Sequence, residues 1–243
     1  MPDAGFSITW RAFHRPKRGH GDDEYEDAFA VNLEAGQFAV ADGASESSFA
    51  GLWARLLVEE FVRPFHQRER LEPLRKSWAA EVDGRSLPWY AEEKRRQGAL
   101  ATFCGLTIRP PRRPTGGGWR AIAIGDSCLF QVHDGTLVTA FPLTRSTEFS
   151  NQPPLLGSRP SLEALSKLWK LRRGRWQSGD RFFLMTDALA EWFLRQNETE
   201  QKPWEKIGTL QAEADAGFAA WVEEQRDLKE LRNDDVTLIV IDV

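Results

Sequence analysis

Residues 38 to 51, "FAVADGASESSFAG", change period halfway along. Phe38–Ala41 read as a buried strand, and Asp42-Gly43 breaks it. Phe49, Leu52, Trp53, Leu56, Leu57, Glu60 and Phe61 then recur at three- and four-residue spacing. That spacing predicts a helix with one apolar face, with serines at its start as candidate N-caps and Pro64 near its end. A carboxylate thus stands where a buried strand gives way to a helix. The Asp42 side chain and Gly43 carbonyl could serve a hard cation that takes oxygen ligands, although a plain turn or cap uses the same residues. Two other Asp-Gly pairs read as turns: Asp134-Gly135 between two alternating strands, as in a hairpin, and Asp83-Gly84 within a polar stretch.

Working outward, "FSITWRAF" and "DAFAVNLEAGQFAVADG" read as strands, the second folding back at "EAG". A helix is expected from Pro88 to about Gln97, followed by an extended run, "ALATFCGLTI". "RPPRRPTGGG" cannot hold regular structure, because its prolines lack donors and its glycines are conformationally loose. "WRAIAIGDSCLFQV" and "TLVTAF" give further strands, and residues 142 to 179 read as irregular with a short helix near Leu162 to Trp169. "DRFFLMTDAL" is a buried strand entering a helix that carries Trp192 and Phe193. "QAEADAGFAAWVEEQRDLKELRN" is a long amphipathic helix, and "DVTLIVIDV" a closing strand. Helices are separated by groups of strands, so a layered α+β sandwich in one domain, residues 1–243, fits better than a doubly wound sheet.

The 243 residues, 28% charged and 41% hydrophobic, suit a globular chain. A net charge of -4 gives no reason to expect nucleic acid. No signal peptide or membrane span is recognisable, so the expected location is the cytoplasm, with no membrane partner. Cys104 and Cys128 form no close pair and read as reduced packing residues.

The acidic residues recur at strand ends. Asp187 ends "RFFLMTD", Asp234 and Asp235 precede the last strand, Glu26 and Asp27 precede an early one, and Asp126 follows "AIAIG". Each alone suits a cap or turn. Gathered at one rim they would repel one another by kcal/mol amounts unless cations or protons neutralised them. Two divalent ions are the economical answer.

In order along the chain, "EYEDAFAV", "FAVADGASE", "ATFCGLTI", "AIAIGDS", "FFLMTDAL" and "NDDVTLIVID" resemble the metal-dependent protein phosphatases of the protein phosphatase 2C family, bacterial type. The resemblance implies a four-layer αββα sandwich with two central antiparallel sheets and a cleft holding two Mn2+ or Mg2+ ions. It implies that Asp42 bridges both metals and that Asp187 and Asp234 hold the first. Glu26 and the Gly43 carbonyl would face the second, with Asp27 ordering the water shell, and Asp126 would help bind a looser third ion. The implied reaction is hydrolysis of phosphoserine or phosphothreonine in proteins by a water or hydroxide bridging the two metals, so no nucleophilic Ser or Cys is needed. The implied partner is a phosphorylated protein, a kinase or its target.

The chain departs from the family pattern where substrate is held. Asp22 stands where relatives often carry a phosphate-gripping Arg, and Ala44 where some carry a histidine. "HRPKRGH" offers His14, Arg15, Lys17, Arg18 and His20 as replacements, with His14, Arg18 and His20 as the candidate phosphate ligands, and the basic run "KLWKLRRGRW", residues 167 to 176, falls where relatives insert a flap that could attract acidic phosphopeptides. These departures keep open a second reading, a catalytically weak phosphatase-like domain that binds a phosphorylated partner or a kinase.

Overall fold

A computed structural model describes residues 7–47, 49–64, 71–84, 93, 95–111, 116–160 and 168–243, without the side chains of 212–214. Its strands are β1 (Thr9–Arg15), β2 (Ala28–Asn32), β3 (Gln37–Ala41), β4 (Leu100–Ala101), β5 (Phe103–Ile108), β6 (Gly117–Ile124), β7 (Cys128–His133), β8 (Thr136–Phe141), β9 (Leu156–Gly157), β10 (Lys170–Trp176), β11 (Arg181–Met185) and β12 (Val236–Asp242). The long helices are α1 (Ala50–Val62), α2 (Leu71–Asp83), α3 (Asp187–Glu198) and α4 (Pro203–Asp227).

Two five-stranded antiparallel sheets form, ordered β1-β12-β11-β7-β8 and β10-β6-β5-β3-β2, with β4 and β9 paired separately. Period-two alternation sorts each strand between two cores. On β3, Phe38 and Val40 face the core between the sheets, while Ala39 and Ala41 face α1. On β11, Phe182 and Leu184 join the same central core, while Phe183 and Met185 pack with residues of α3 and α4. The central strands are apolar on both faces because each sheet is covered on both sides, giving the αββα layering expected from the sequence.

Strand register decides where the acids go. β2 enters beside the exit of β3, with Ala28 opposite Ala41. β12 enters beside the exit of β11, with Leu238 opposite Met185, and Phe103 of β5 lies opposite Ile124 of β6. The breaks at Glu26-Asp27, Asp42, Asp126, Asp187 and Asp234 therefore share one end of the sandwich. At the other end Gln131 of β7 crosses between sheets, donating to the Arg175 carbonyl (2.8 Å) and to Asp180 (2.6 Å) and accepting from Trp119 Nε1 (3.0 Å).

Several expectations change. Phe49, at φ 58°, caps α1 without a side-chain hydrogen bond, because the Ser47 hydroxyl is used elsewhere, donating to the Ala44 carbonyl and accepting from Leu100 N–H. α2 lies where no helix was expected, burying Leu74, Arg75, Trp78 and Val82. α4 starts eight residues before Gln211, because Pro203 occupies its first turn. Residues 170–176 are not irregular and form no flap: they are β10, an edge strand on β6. Lys170 pairs with Ala123 near the acidic end and the strand then runs away from it, so exposed Arg172, Arg173 and Arg175 guard a sheet edge. Most of the helix expected over 88–97, and of that near 162–169, lies outside the described residues.

Candidate metal centre

Asp42 follows β3, and its carbonyl accepts from Thr102 N–H at 2.9 Å while Ala44 N–H donates to the Leu100 carbonyl at 2.9 Å. These two bonds flank the Gly43–Ala101 bridge and leave the Gly43 carbonyl outside both. Gly43 N–H donates to the Glu26 carbonyl (3.2 Å). A Cβ at Gly43 would stand 2.7 Å from both that oxygen and the Ala50 carbonyl carbon, so only glycine lets the start of α1 approach so closely.

Asp126 is buried on the crossover from β6 to β7. Asp187 opens α3, where its Oδ1 accepts from Ala188 N–H at 2.5 Å. One ligand oxygen from each of Asp42, Asp126 and Asp187 lies within 4.8 Å of the others. Asp126, expected beside a looser third ion, thus shares the tight group with Asp42 and Asp187. Asp234 Oδ1 accepts from Asp235 N–H (3.0 Å), and its charge is felt by all three carboxylates.

Electrostatics record the crowding. Burial first, and then the charges of Asp187, Asp27, Asp234 and Asp126, push the Asp42 carboxyl well above its usual range. Burial and Asp187 push Asp126 up to about 7. Burial raises Asp187 too, against the opposing pull of Arg232. Arg232 sits against Asp187 Oδ2 and reaches Glu191 at 3.3 Å.

Asp27 and Glu26 stand beside this group. Asp27 Oδ2 accepts from the Thr186 (2.9 Å) and Thr237 (2.7 Å) hydroxyls. Its Oδ1, like Asp126 Oδ1, is buried without a hydrogen-bond partner among the described residues. Glu26 is half-buried, with Lys17 Nζ 3.5 Å away. Orphaned oxygens, an all-oxygen donor set and carboxyls that resist ionising together are what a hard divalent cation would relieve, so the residues fit Mg2+ or Mn2+.

A cleft of about 850 Å³ adjoins the cluster, with Glu26 and Asp27 in its wall. His14 lines it, its ring 5.3 Å from that of Tyr25, as does His20, whose Nδ1 lies 3.6 Å from Glu24. Arg18 does not join them. Its guanidinium is held by Glu223 (2.7 Å) and Asp227 (2.8 Å) of α4, so its place as a phosphate ligand is not supported. Lys17 does line the cleft, its Nζ donating to Ser45 Oγ at 2.9 Å.

Arg232 and Arg226 escaped the sequence reading, and Asp235, noted there as an acid before the last strand, was given no role. Arg232 precedes Asp234 by two positions but carries no pattern of its own. Asp235 uses both oxygens on backbone, accepting from Lys17 N–H and Glu26 N–H at 2.7 Å each. Arg226, buried on α4, donates to the Asp234 (2.6 Å) and Pro16 (3.1 Å) carbonyls. The adjacent acids in "NDDV" were the available signal for Asp235, and nothing local marked Arg226.

Solved structures share this architecture. The photosystem II phosphatase PBCP aligns with a TM-score of 0.62 at 17% identity, over 98% of this chain and 99% of that one. The catalytic domain of the serine/threonine phosphatase PstP, solved with two manganese ions, gives 0.58 at 17% identity, over 97% and 99%. PppA of Pseudomonas aeruginosa, a regulatory component of a T6SS, gives 0.58 at 17%, over 97% of both chains. No curated protein sequence matches the chain. The family model described as Protein phosphatase 2C matches residues 15–227. With the two-sheet sandwich and its acidic rim in place, that match settles the family: the chain belongs to the protein phosphatase 2C family of metal-dependent serine/threonine protein phosphatases.

Proposed function

We propose that this chain is a cytoplasmic signalling phosphatase of bacterial type that hydrolyses phosphoserine and phosphothreonine on a kinase or on a kinase's target. The observation that carries the reading is the convergence of Asp42, Asp126 and Asp187 oxygens within 4.8 Å. In this reading Asp42, Asp126, Asp187 and Asp234, with Glu26 and the Gly43 carbonyl, would hold two Mn2+ or Mg2+ ions. Bound ions of this kind lower the pKa of coordinated water and offset charge on a transferring phosphoryl group.

The chain's own groups do the rest. Asp27 is fixed by two threonine hydroxyls, and its unpartnered oxygen would be free to order water beside the ions. Lys17, beside Glu26, supplies positive charge toward an incoming phosphate, and His14 or His20 can hand a proton to the leaving alkoxide. Cys104 and Cys128 take no part, since both are fully buried and burial pushes their thiols up, away from the reactive thiolate.

The test is p-nitrophenyl phosphate hydrolysis against a Mn2+ titration, with Asp42→Asn and Asp187→Asn as controls. Turnover should require the metal and vanish in both variants. By calorimetry Asp42→Asn should weaken Mn2+ binding more than about 100-fold, beyond what changes outside the ligand shell cost. The weak-binder reading draws on Asp22 in place of the usual Arg and on Arg18 being committed to α4. Metal binding with no turnover on any phosphate ester would favour it.

A further inference from the structure

We infer that the cleft beside the metal centre selects phosphorylated segments flanked by basic residues, an inference about substrate class that rests on the phosphatase reading. One wall is the turn Asp22–Glu24, and the facing wall is the side of α1 carrying Leu52, Arg55 and Glu59, with Glu81 of α2 beyond. Among the described residues seven carboxylates line this space, Glu26 and Asp27 included, against two permanent cations, Lys17 and Arg55. Both cations are already engaged, Lys17 with Glu26 (3.5 Å) and Arg55 with Glu81 (3.6 Å). Asp22, Asp23 and Glu59 are exposed and make no ion pair among the described residues. The cleft is joined to the reaction centre through Asp27, which is 95% buried with an orphaned oxygen and whose charge reaches Asp42.

A phosphoryl group drawn to the Lys17 end of the cleft, beside Glu26, must carry its flanking residues along this acidic passage. Arginine or lysine there would meet unpaired carboxylates, while an acidic flank would be repelled. The exposed arginines of β10 cannot reverse that preference, because they lie on an edge strand running away from the site.

The experiment uses two fluorescein-labelled phosphothreonine peptides, one flanked by arginines and one by glutamates, compared by anisotropy and by Mn2+-dependent phosphate release. The arginine peptide should be favoured by about tenfold or more at low ionic strength, as for complementary charges screened by salt. The triple variant Asp22→Asn, Asp23→Asn, Glu59→Gln should bring the ratio close to one. Turnover with equal or reversed preference, or a preference the triple variant retains, would overturn the inference. A binding preference without turnover would support it and instead remove the enzymatic reading beneath it.

Discussion

Asp187 meets a guanidinium on the very carboxylate proposed to hold a metal. Arg232 contacts its Oδ2 and spans to Glu191, so a cation already offsets part of the crowding. An ion arriving at Asp187 must compete with that contact. Arg232→Gln should therefore tighten Mn2+ binding by about two- to fivefold, the range of a partly exposed ion pair; calorimetry showing weaker binding would make Arg232 a helper rather than a competitor. Asp126 carries a second expectation at this scale. Its folded carboxyl is raised to about 7, above the ordinary 3.8, so the metal-free fold keeps a proton that the unfolded chain releases. The contribution is complete below about pH 4 and fades as pH rises toward 7, because ionising the buried group favours unfolding. Melting in EDTA should fall between pH 5 and pH 8, and the gain on adding Mn2+ should be larger at pH 8.

The elements show what a sequence can and cannot declare. β3, β11 and β12 were legible because apolar runs ended or began at acids, and the register of β2 on β3 and β12 on β11 brings those acids to one rim. α2 was not, since its buried residues include Arg75 and its first turn holds Pro73, which together hide the helical stripe. β10 was hidden because an edge strand covered on one face needs only Gly174 and Trp176 to turn inward. The acids Asp42 and Asp187 could be read from strand endings, whereas Asp235, Arg226 and Arg232 act through contacts between distant segments. Asp235 is the strongest case: it binds the backbone at Lys17 and Glu26, ahead of β2, to the entry of β12. Asp235→Ala should cost about 3 kcal/mol, since both bonds go to a charged buried acceptor. For a chain this long that is a fall of about 6–12 °C in Tm. At Gly43 the constraint is contact, and Gly43→Ala should destabilise by about 1–3 kcal/mol through overpacking, measurable by urea denaturation, with loss of Mn2+ binding as α1 is pushed off the loop.

Across the whole molecule the two ends of the sandwich are secured by different means. Gln131 ties β7 to β10 at the far end by direct hydrogen bonds, to the Arg175 carbonyl and to Asp180. At the acidic end Asp42 follows a strand of one sheet, Asp187 and Asp234 flank strands of the other, and Asp126 lies on the crossover between them. An ion shared by these side chains would act as a rivet through the seam, and its removal should let that end alone breathe. Backbone deuterium uptake near the ends of β3 and β11 should accelerate in chelator, while uptake around Gln131 and Asp180 holds steady, so that depletion of the nutrient metal would expose the protein to proteolysis from one side first.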